Sequence, residues 1–392
     1  MDELTDETVW ALMKLVGKPG GLTDKGCLPP LQIVQGDFDM NLTALPAVAF
    51  DKCVGGIGKG GNFTVNVKST AGWAALSFIN PGAQHPLLVT IDNHELYVFQ
   101  IDGQYIVPQI VDQIAVGNGN RISVLVKLDR KPERYAIRIA HQLANQIVAG
   151  FAELVYDGAR EFAKDPNQLV DYTGKPLPGI ENFRMLDETH GVPYPPMKPA
   201  RSADRTYKLL LKKIGHPSKS GEWLMSGQTG YMMSEEDKAP PLLFEPPSIE
   251  SDLLLKTRQG EWVDLIVETE GPISRYHPMH KHGNRFFVLG FGTGRFPWDT
   301  VEEAEAALPP GSFNFETSPF VDTVQTKRSM TGAWLALRYR VEAPGAFLFH
   351  CHIQPHMTGG MGVVLMDGLE SLPAIPVAFR EWNGLDAPQV SH

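Results

Sequence analysis

Cysteine is scarce in this chain. Only Cys27, Cys53 and Cys351 occur in 392 residues, and an odd number leaves at least one thiol outside any intrachain disulfide. Cys27 and Cys53 either pair or remain thiols; the sequence leaves both open. Basic charge is short as well: 35 Lys and Arg stand against 45 Asp and Glu, a formal net charge of −10, which disfavours a nucleic-acid partner. No apolar run approaches the roughly 20 residues needed to span a bilayer, so no membrane anchor is expected. The opening Met1-Asp-Glu-Leu-Thr-Asp-Glu-Thr has neither a basic nor an apolar leader region, so no signal peptide is expected in this chain. Gly-x-Ser-x-Gly, a Walker loop and His-Glu-x-x-His are all missing. Gly56-Ile-Gly58-Lys-Gly60-Gly61 matches a dinucleotide fingerprint, but that site needs a strand before the glycines and a helix after them. The pattern that follows, Asn62-Phe-Thr-Val-Asn-Val, reads as a strand, so the glycines read as a loop.

Glycine and proline, by contrast, are abundant, at 38 and 31. Together with 43% hydrophobic and 20% charged residues, they suit a globular chain of short strands joined by turns. At roughly 100–200 residues per domain, this length allows two or three domains. Residues 4–16 carry a helix-like spacing of Leu4, Val9, Leu12, Met13 and Val16, stopped by Gly17, and residues 1–61 read as a helix and loop segment. From about residue 62 the period becomes two. Strands are expected at 63–68, 74–80, 87–92, 95–101, 122–128, 135–140 and 150–156, with turns such as Asp102-Gly103 between them. This gives a first β-domain over 62–160. Seven prolines between 158 and 205 mark 161–205 as a connection. A second series, at 207–212, 253–256, 262–268, 285–290, 334–341, 345–352 and 361–367, makes a second β-domain over 206–392, with one helical insert at 300–307. The fold class is therefore all-β, two sandwich or barrel domains with a Pro-rich connection. Asn41-Leu-Thr and Asn62-Phe-Thr match the glycosylation sequon, a weak signal for a glycoprotein.

Two short segments concentrate the chemistry. In Phe349-His350-Cys351-His352-Ile353 the side chains of a strand alternate, so His350 and His352 face one way and Cys351 the other. Cys351 supplies a soft thiolate suited to copper; two imidazoles and a long axial thioether complete a trigonal electron-transfer site, and His356 and Met361 follow closely enough to turn back toward it. In Tyr276-His277-Pro278-Met279-His280-Lys281-His282-Gly283, His280 and His282 share a face and His277 is offset by three. His280, His282, His350 and His352 then converge on further metal. A structural zinc would call for a closed tetrahedral set, not a His-Cys-His split across strand faces. His85, His94, His141, His190, His216 and His392 are isolated and read as ordinary surface or core residues.

The patterns His-Pro-x-His-x-His-Gly and His-Cys-His-Ile-x-x-His-x-x-x-x-Met resemble the third and fourth copper signatures of the multicopper oxidases, the family of laccases, ascorbate oxidase and ferroxidases. The two β-domains look like the second and third cupredoxin (Greek-key) domains of a three-domain, laccase-like enzyme. Arg121-Ile-Ser-Val-Leu-Val and Met366-Asp-Gly suggest an ascomycete fungal member of the pigment-pathway type. The resemblance implies His277, Cys351, His356 and axial Met361 at a type 1 copper, His280 at type 2, and His282, His350 and His352 at type 3, with Cys351, His350 and His352 relaying electrons. It implies a phenolic reductant, dioxygen as acceptor, no partner chain, and a secreted or cell-wall location for the complete protein.

Two departures stand out. Val321, in Ser318-Pro-Phe-Val-Asp-Thr, replaces an arginine of the family pattern. Residues 1–276 contain no His-x-His, whereas the family draws four of its eight cluster histidines from a first domain. The expectation is therefore a truncated form that carries one type 1 copper, where the complete family member carries up to four. The alternatives are a ferroxidase-type enzyme and a non-catalytic blue-copper fragment.

Overall fold

The computed structural model describes residues 63–374, apart from 83–85, 143–146, 165–166, 172, 216–221, 232–250, 271–275, 328 and 330 and the side chains of 142 and 147–149. The helix expected over 4–16, the glycine loop, Cys27, Cys53, the sequon residues Asn41 and Asn62, and His85, His216 and His392 lie outside the described residues. The described chain forms two compact units that part between Met197 and Lys198. Among the described residues no helix is long and apolar enough to cross a membrane.

The first unit holds nine strands: β1 (Phe63–Val67), β2 (Trp73–Ile79), β3 (Leu87–Ile91), β4 (Leu96–Ile101), β5 (Gln104–Val111), β6 (Ile114–Val116), β7 (Arg121–Lys127), β8 (Arg134–Gln142) and β9 (Ile147–Tyr156). They make two sheets, in the orders β1-β9-β8-β3-β6 and β2-β7-β4-β5. Alternate residues such as Val98, Ile122, Val124 and Val126 are fully buried, as period two requires of a half-buried strand. Asp102 and Gly103 both take positive φ, 50° and 78°, which makes the tight two-residue turn that twists β4 into β5. His94 is a core residue. Its Nδ1 lies 2.8 Å from the Asp92 carbonyl and its Nε2 2.8 Å from the Tyr156 hydroxyl, and burial lowers its pKa.

The stretch read as a connection over 161–205 is largely something else. Up to Met197 it belongs to the first unit. Arg134 N donates to the Glu161 carbonyl at 3.1 Å, Val107 N to the Val192 carbonyl at 2.9 Å and Leu186 N to the Gln113 carbonyl at 3.0 Å. Arg184 places Nη2 2.7 Å from Asp112 Oδ1 and Nε 3.1 Å from Oδ2. Prolines deny this segment a continuous ladder, yet an extended backbone still satisfies its polar groups one at a time against a neighbour. The first domain therefore extends well past residue 160.

The second unit holds β10 (Arg205–Ile214), β11 (Glu222–Leu224), β12 (Leu254–Lys256), β13 (Trp262–Thr269), β14 (Pro278–Lys281), β15 (Phe286–Thr293), helix α1 (Val301–Ala307), β16 (Phe320–Val321), β17 (Thr323–Gln325), β18 (Ala333–Arg340), β19 (Gly345–Cys351), helix α2 (Gln354–Thr358) and β20 (Gly362–Asp367). One sheet runs β11-β10-β13-β18-β15-β16 and the other β12-β20-β19-β14-β17. The all-β expectation holds in both units, with the short α1 where the sequence placed its insert. Thr300 caps α1 by accepting from Glu303 N at 3.2 Å, and Glu303 reaches back to Asp299 N at 3.0 Å, a reciprocal arrangement that closes two unsatisfied donors. Val301 and Ala304 of α1 pack with Ile266, Leu289, Phe296, Phe313 and Trp334 on the outer face of the first sheet. That cover explains why β13 and β18 are buried almost end to end.

Every expected strand is present. The unexpected ones are short or irregular. β5 is an edge strand that contains Pro108, and proline within a strand pattern argues against a strand unless it lies at an edge. β6, β11, β14, β16 and β17 have two to four residues, too few to stand out by period.

Arg338 is fully buried on β18 and pairs with Asp264 on β13 through bonds of 2.6 and 2.7 Å, with a third to Glu302 of α1 at 2.9 Å. Removing one partner of such a pair strands the other charge in the core, at a cost of about 3–5 kcal/mol. Arg338→Met is therefore expected to lower the unfolding free energy by that order in urea titration. A loss within experimental error would show that the pair does not anchor α1 to the sheet.

Candidate metal centre

The site lies at one end of the second sheet of the second unit, where β14 and β19 pair antiparallel. Met279 stands opposite Cys351, His280 opposite His350 and Lys281 opposite Phe349. This register sorts the side chains. Residues 280 and 350 share one face, and Cys351 points to the other.

On the Cys351 face, three ligand atoms form a small triangle. Cys351 Sγ is 3.7 Å from His277 Nδ1 and 3.6 Å from His356 Nδ1, and the two nitrogens are 3.2 Å apart. A point equidistant from all three lies about 2.0 Å from each, the length of a bond from a transition metal to imidazole. A thiolate and two imidazoles are also the donor set of a trigonal copper site, so geometry and chemistry both fit that ion.

The backbone explains how three separated residues meet. His277, just before β14, exchanges two bonds with Thr326: its N–H donates to Oγ1 at 2.8 Å, and its carbonyl accepts from Thr326 N at 3.0 Å. Cys351 ends β19. Pro355 sits in the first turn of α2, where its missing N–H costs nothing, and this one-turn helix carries His356 back toward Cys351. Met361 is fully buried; its N–H donates to the His356 carbonyl at 2.9 Å, and its carbonyl accepts from Cys351 N at 3.1 Å. The main chain thus ties His356, Met361 and Cys351 into one loop.

The residue that sequence reasoning missed is Trp223 on β11. Its ring lies 4.1 Å from that of His356 and meets His277 edge-on at 5.7 Å. Trp223 N donates to the Gly359 carbonyl at 2.8 Å. Gly360, at φ 119°, admits this approach, since a Cβ there would stand 2.4 Å from the Trp223 carbonyl oxygen. Only the unusual Gly359-Gly360 pair signalled in sequence that something presses close.

On the opposite face, ligand atoms of His280, His282 and His350 lie within 4.8 Å of one another, with the Nε2 atoms of His282 and His350 3.2 Å apart. The His352 ring is 5.7 Å from both His280 and His350. His350 Nδ1 faces the Cys351 carbonyl at 2.9 Å, and His280 Nδ1 is held by the Asp322 carbonyl at 3.0 Å and Thr323 Oγ1 at 2.9 Å. With Nδ1 so engaged, Nε2 is the nitrogen left to ligate. Val321, where the family pattern has arginine, is buried. All eight sequence-selected residues thus gather at one sheet end, in two groups back to back.

Electrostatics suits cation binding. Burial presses the pKa of His350 down to about 3, with His280 and His282 adding to the effect, and lowers that of His282. Both rings are neutral and able to ligate near neutral pH. Burial pushes the Cys351 thiol up to about 12, so it keeps its proton until a metal displaces it. Between pH 7.5 and 9.5, above the imidazole range, affinity at this centre is expected to rise about tenfold per pH unit with release of one proton. Isothermal titration in buffers of different ionisation enthalpy measures that proton. A pH-independent affinity would mean that the thiol is not a ligand.

Two sequence profiles, each described as multicopper oxidase, match residues 48–159 and 229–370. The chain is 54% identical to multicopper oxidase elcG of Phaeosphaeria nodorum over 94% of its length and 59% of that protein. It is 46% identical to multicopper oxidase CTB12 of Cercospora beticola, over 100% of the chain and 62% of the relative. It is 37% identical to laccase abr2 of Aspergillus fumigatus, over 90% and 60%. The chain thus spans about three fifths of the length of these relatives. Among solved structures, the laccase from Botrytis aclada superposes with a TM-score of 0.63 at 21% identity, covering 87% of this chain and 58% of that one. Fet3p, a multicopper oxidase that functions in iron import, gives 0.58 at 18% identity, covering 82% and 60%. Both likenesses show the cupredoxin fold.

Proposed function

The chain belongs to the multicopper oxidase family, and from that premise we propose that it is the electron-entry part of a laccase-type oxidase, acting on phenols of the pigment-precursor kind outside the cell. The observation that carries this reading is the back-to-back arrangement at the end of β19. Cys351 faces one donor set, and the flanking His350 and His352 face the other. Copper, when bound, supplies one-electron redox chemistry and the reaction with dioxygen.

In this reading His277, Cys351, His356 and Met361 would hold the type 1 ion, His280 the type 2 ion, and His282, His350 and His352 the type 3 ions. The residues themselves do the rest. Burial of Cys351 and His277 keeps water off the first centre. His356 is only half-buried, so its edge would be the surface a phenol approaches, with Trp223 against the imidazole from one side. Cys351 and His350 are joined by one peptide and by the contact between His350 Nδ1 and the Cys351 carbonyl, which would couple the two donor sets. The chain supplies four of the family's eight cluster imidazoles, so turnover belongs to the assembly in which four more complete the set. The laccase name of the Aspergillus relative supports phenols as the reductant.

Added to the full chain, copper is expected to fill the Cys351 centre tightly, at about one ion per chain, with an intense thiolate band in the visible, and the histidine set more weakly. Cys351→Ser is expected to abolish the band and the tight ion. A band that survives this substitution would sink the assignment.

A further inference from the structure

Lys281 lies between two of these histidines and, by alternation, points away from the histidine face into the interior of the second unit. Its side chain is fully buried, where an ammonium is costly. Nζ finds an acceptor for each of its three protons: Asp367 Oδ2 at 3.0 Å, the His282 carbonyl at 3.1 Å and Asn284 Oδ1. The rings of Tyr339 and Phe347 stand 4.4 and 5.1 Å from it. Asp367, the last residue of β20, is held in turn by the Tyr339 hydroxyl at 2.8 Å and Thr257 Oγ1 at 2.9 Å. Tyr339 belongs to β18 of the facing sheet, so the cluster spans the sandwich.

A leucine would fill the same space without desolvating a charge. What it would not do is grip the turn that follows. β14 is four residues long and ends at Lys281. His282 stands beyond it, with its N–H on the Leu348 carbonyl at 2.9 Å. Gly283 then turns at φ 87°, packed so that a Cβ would meet the Phe347 ring at 2.6 Å. Asn284 anchors the far side through Nδ2 on the Arg340 carbonyl at 2.8 Å. Two of the three Lys281 donors go to this turn, one to a carbonyl on the residue whose imidazole faces His350.

We propose that Lys281, braced by Asp367, is a positioning residue for the histidine metal set: the pair fixes the His282–Gly283–Asn284 turn and through it the placement of the His282 imidazole against His350. The inference rests on the reading of His280, His282 and His350 as metal ligands.

The test uses the full chain carrying Cys351→Ser, so that copper reports on the histidine set alone, and adds Lys281→Met, Asp367→Asn or both. Each single variant strands a buried group and is expected to lower Tm. The double variant removes both charges and is expected to recover most of that loss. Copper(II) affinity, read by electron paramagnetic resonance, is expected to stay at least tenfold below the parent in the double variant, the usual penalty for losing a group that orients a ligand, with altered hyperfine splitting. In the Cys351-containing double variant the thiolate band is expected to keep its wavelength and titration midpoint. Affinity that returns to the parent value along with Tm would overturn the proposal, because the pair would then be structural only. A Cys351→Ser parent that holds no copper would instead overturn the ligand reading and the inference with it, an outcome distinct from a parent and a double variant that bind equally well.

Discussion

The alternation of side chains at the end of β19 is the constraint on which the site depends. A strand offers two faces at consecutive residues, so a thiol and two imidazoles adjacent in sequence serve two different places a few ångströms apart. The β14 partner strand only has to pair in register to bring His280 onto the imidazole face, and His277, just outside the ladder, onto the thiol face. A slip of one residue would exchange the faces. Burial guards against that, because Met279 and Lys281 are committed to the interior.

Around this strand pair the second unit places charges where a core ordinarily has none. Arg338 with Asp264, and Lys281 with Asp367, are buried and hydrogen-bonded on every side. Neither pair is an economical way to fill space, since apolar residues of the same volume would serve as well or better. Both, however, join elements that apolar contact would leave free to slide: α1 to the first sheet in one case, the metal-side turn to the opposite sheet in the other. Directional bonds fix a register that dispersion forces leave soft. A site whose ligand atoms must lie within a few tenths of an ångström needs that kind of support.

The loop from Cys351 to Met361 is held by short-range bonds of its own. Six backbone hydrogen bonds, a proline at a helix start and a glycine pair replace any large scaffold. Burial keeps the thiol protonated and the His350 ring neutral. The proton that a bound ion displaces links its affinity to pH.

The sequence by itself determined the fold class, most strands and all eight ligand candidates. Period-two patterning follows directly from the geometry of a half-buried strand, and histidines and a cysteine spaced by two and one have few other uses. It did not determine the extent of the first unit, because residues 161–197 satisfy their backbone against neighbours in no regular ladder. Nor did it show β11, too short for a period, which brings Trp223 against His356 across more than 130 residues of chain. The role of Lys281 was equally hidden, since a lysine between two histidines reads as a solvated residue. Only tertiary structure, which sets what lies behind the strand, decided that its ammonium is enclosed by Asp367, Tyr339 and Phe347. Local pattern fixes which way a side chain points; what it meets there depends on elements far away in sequence.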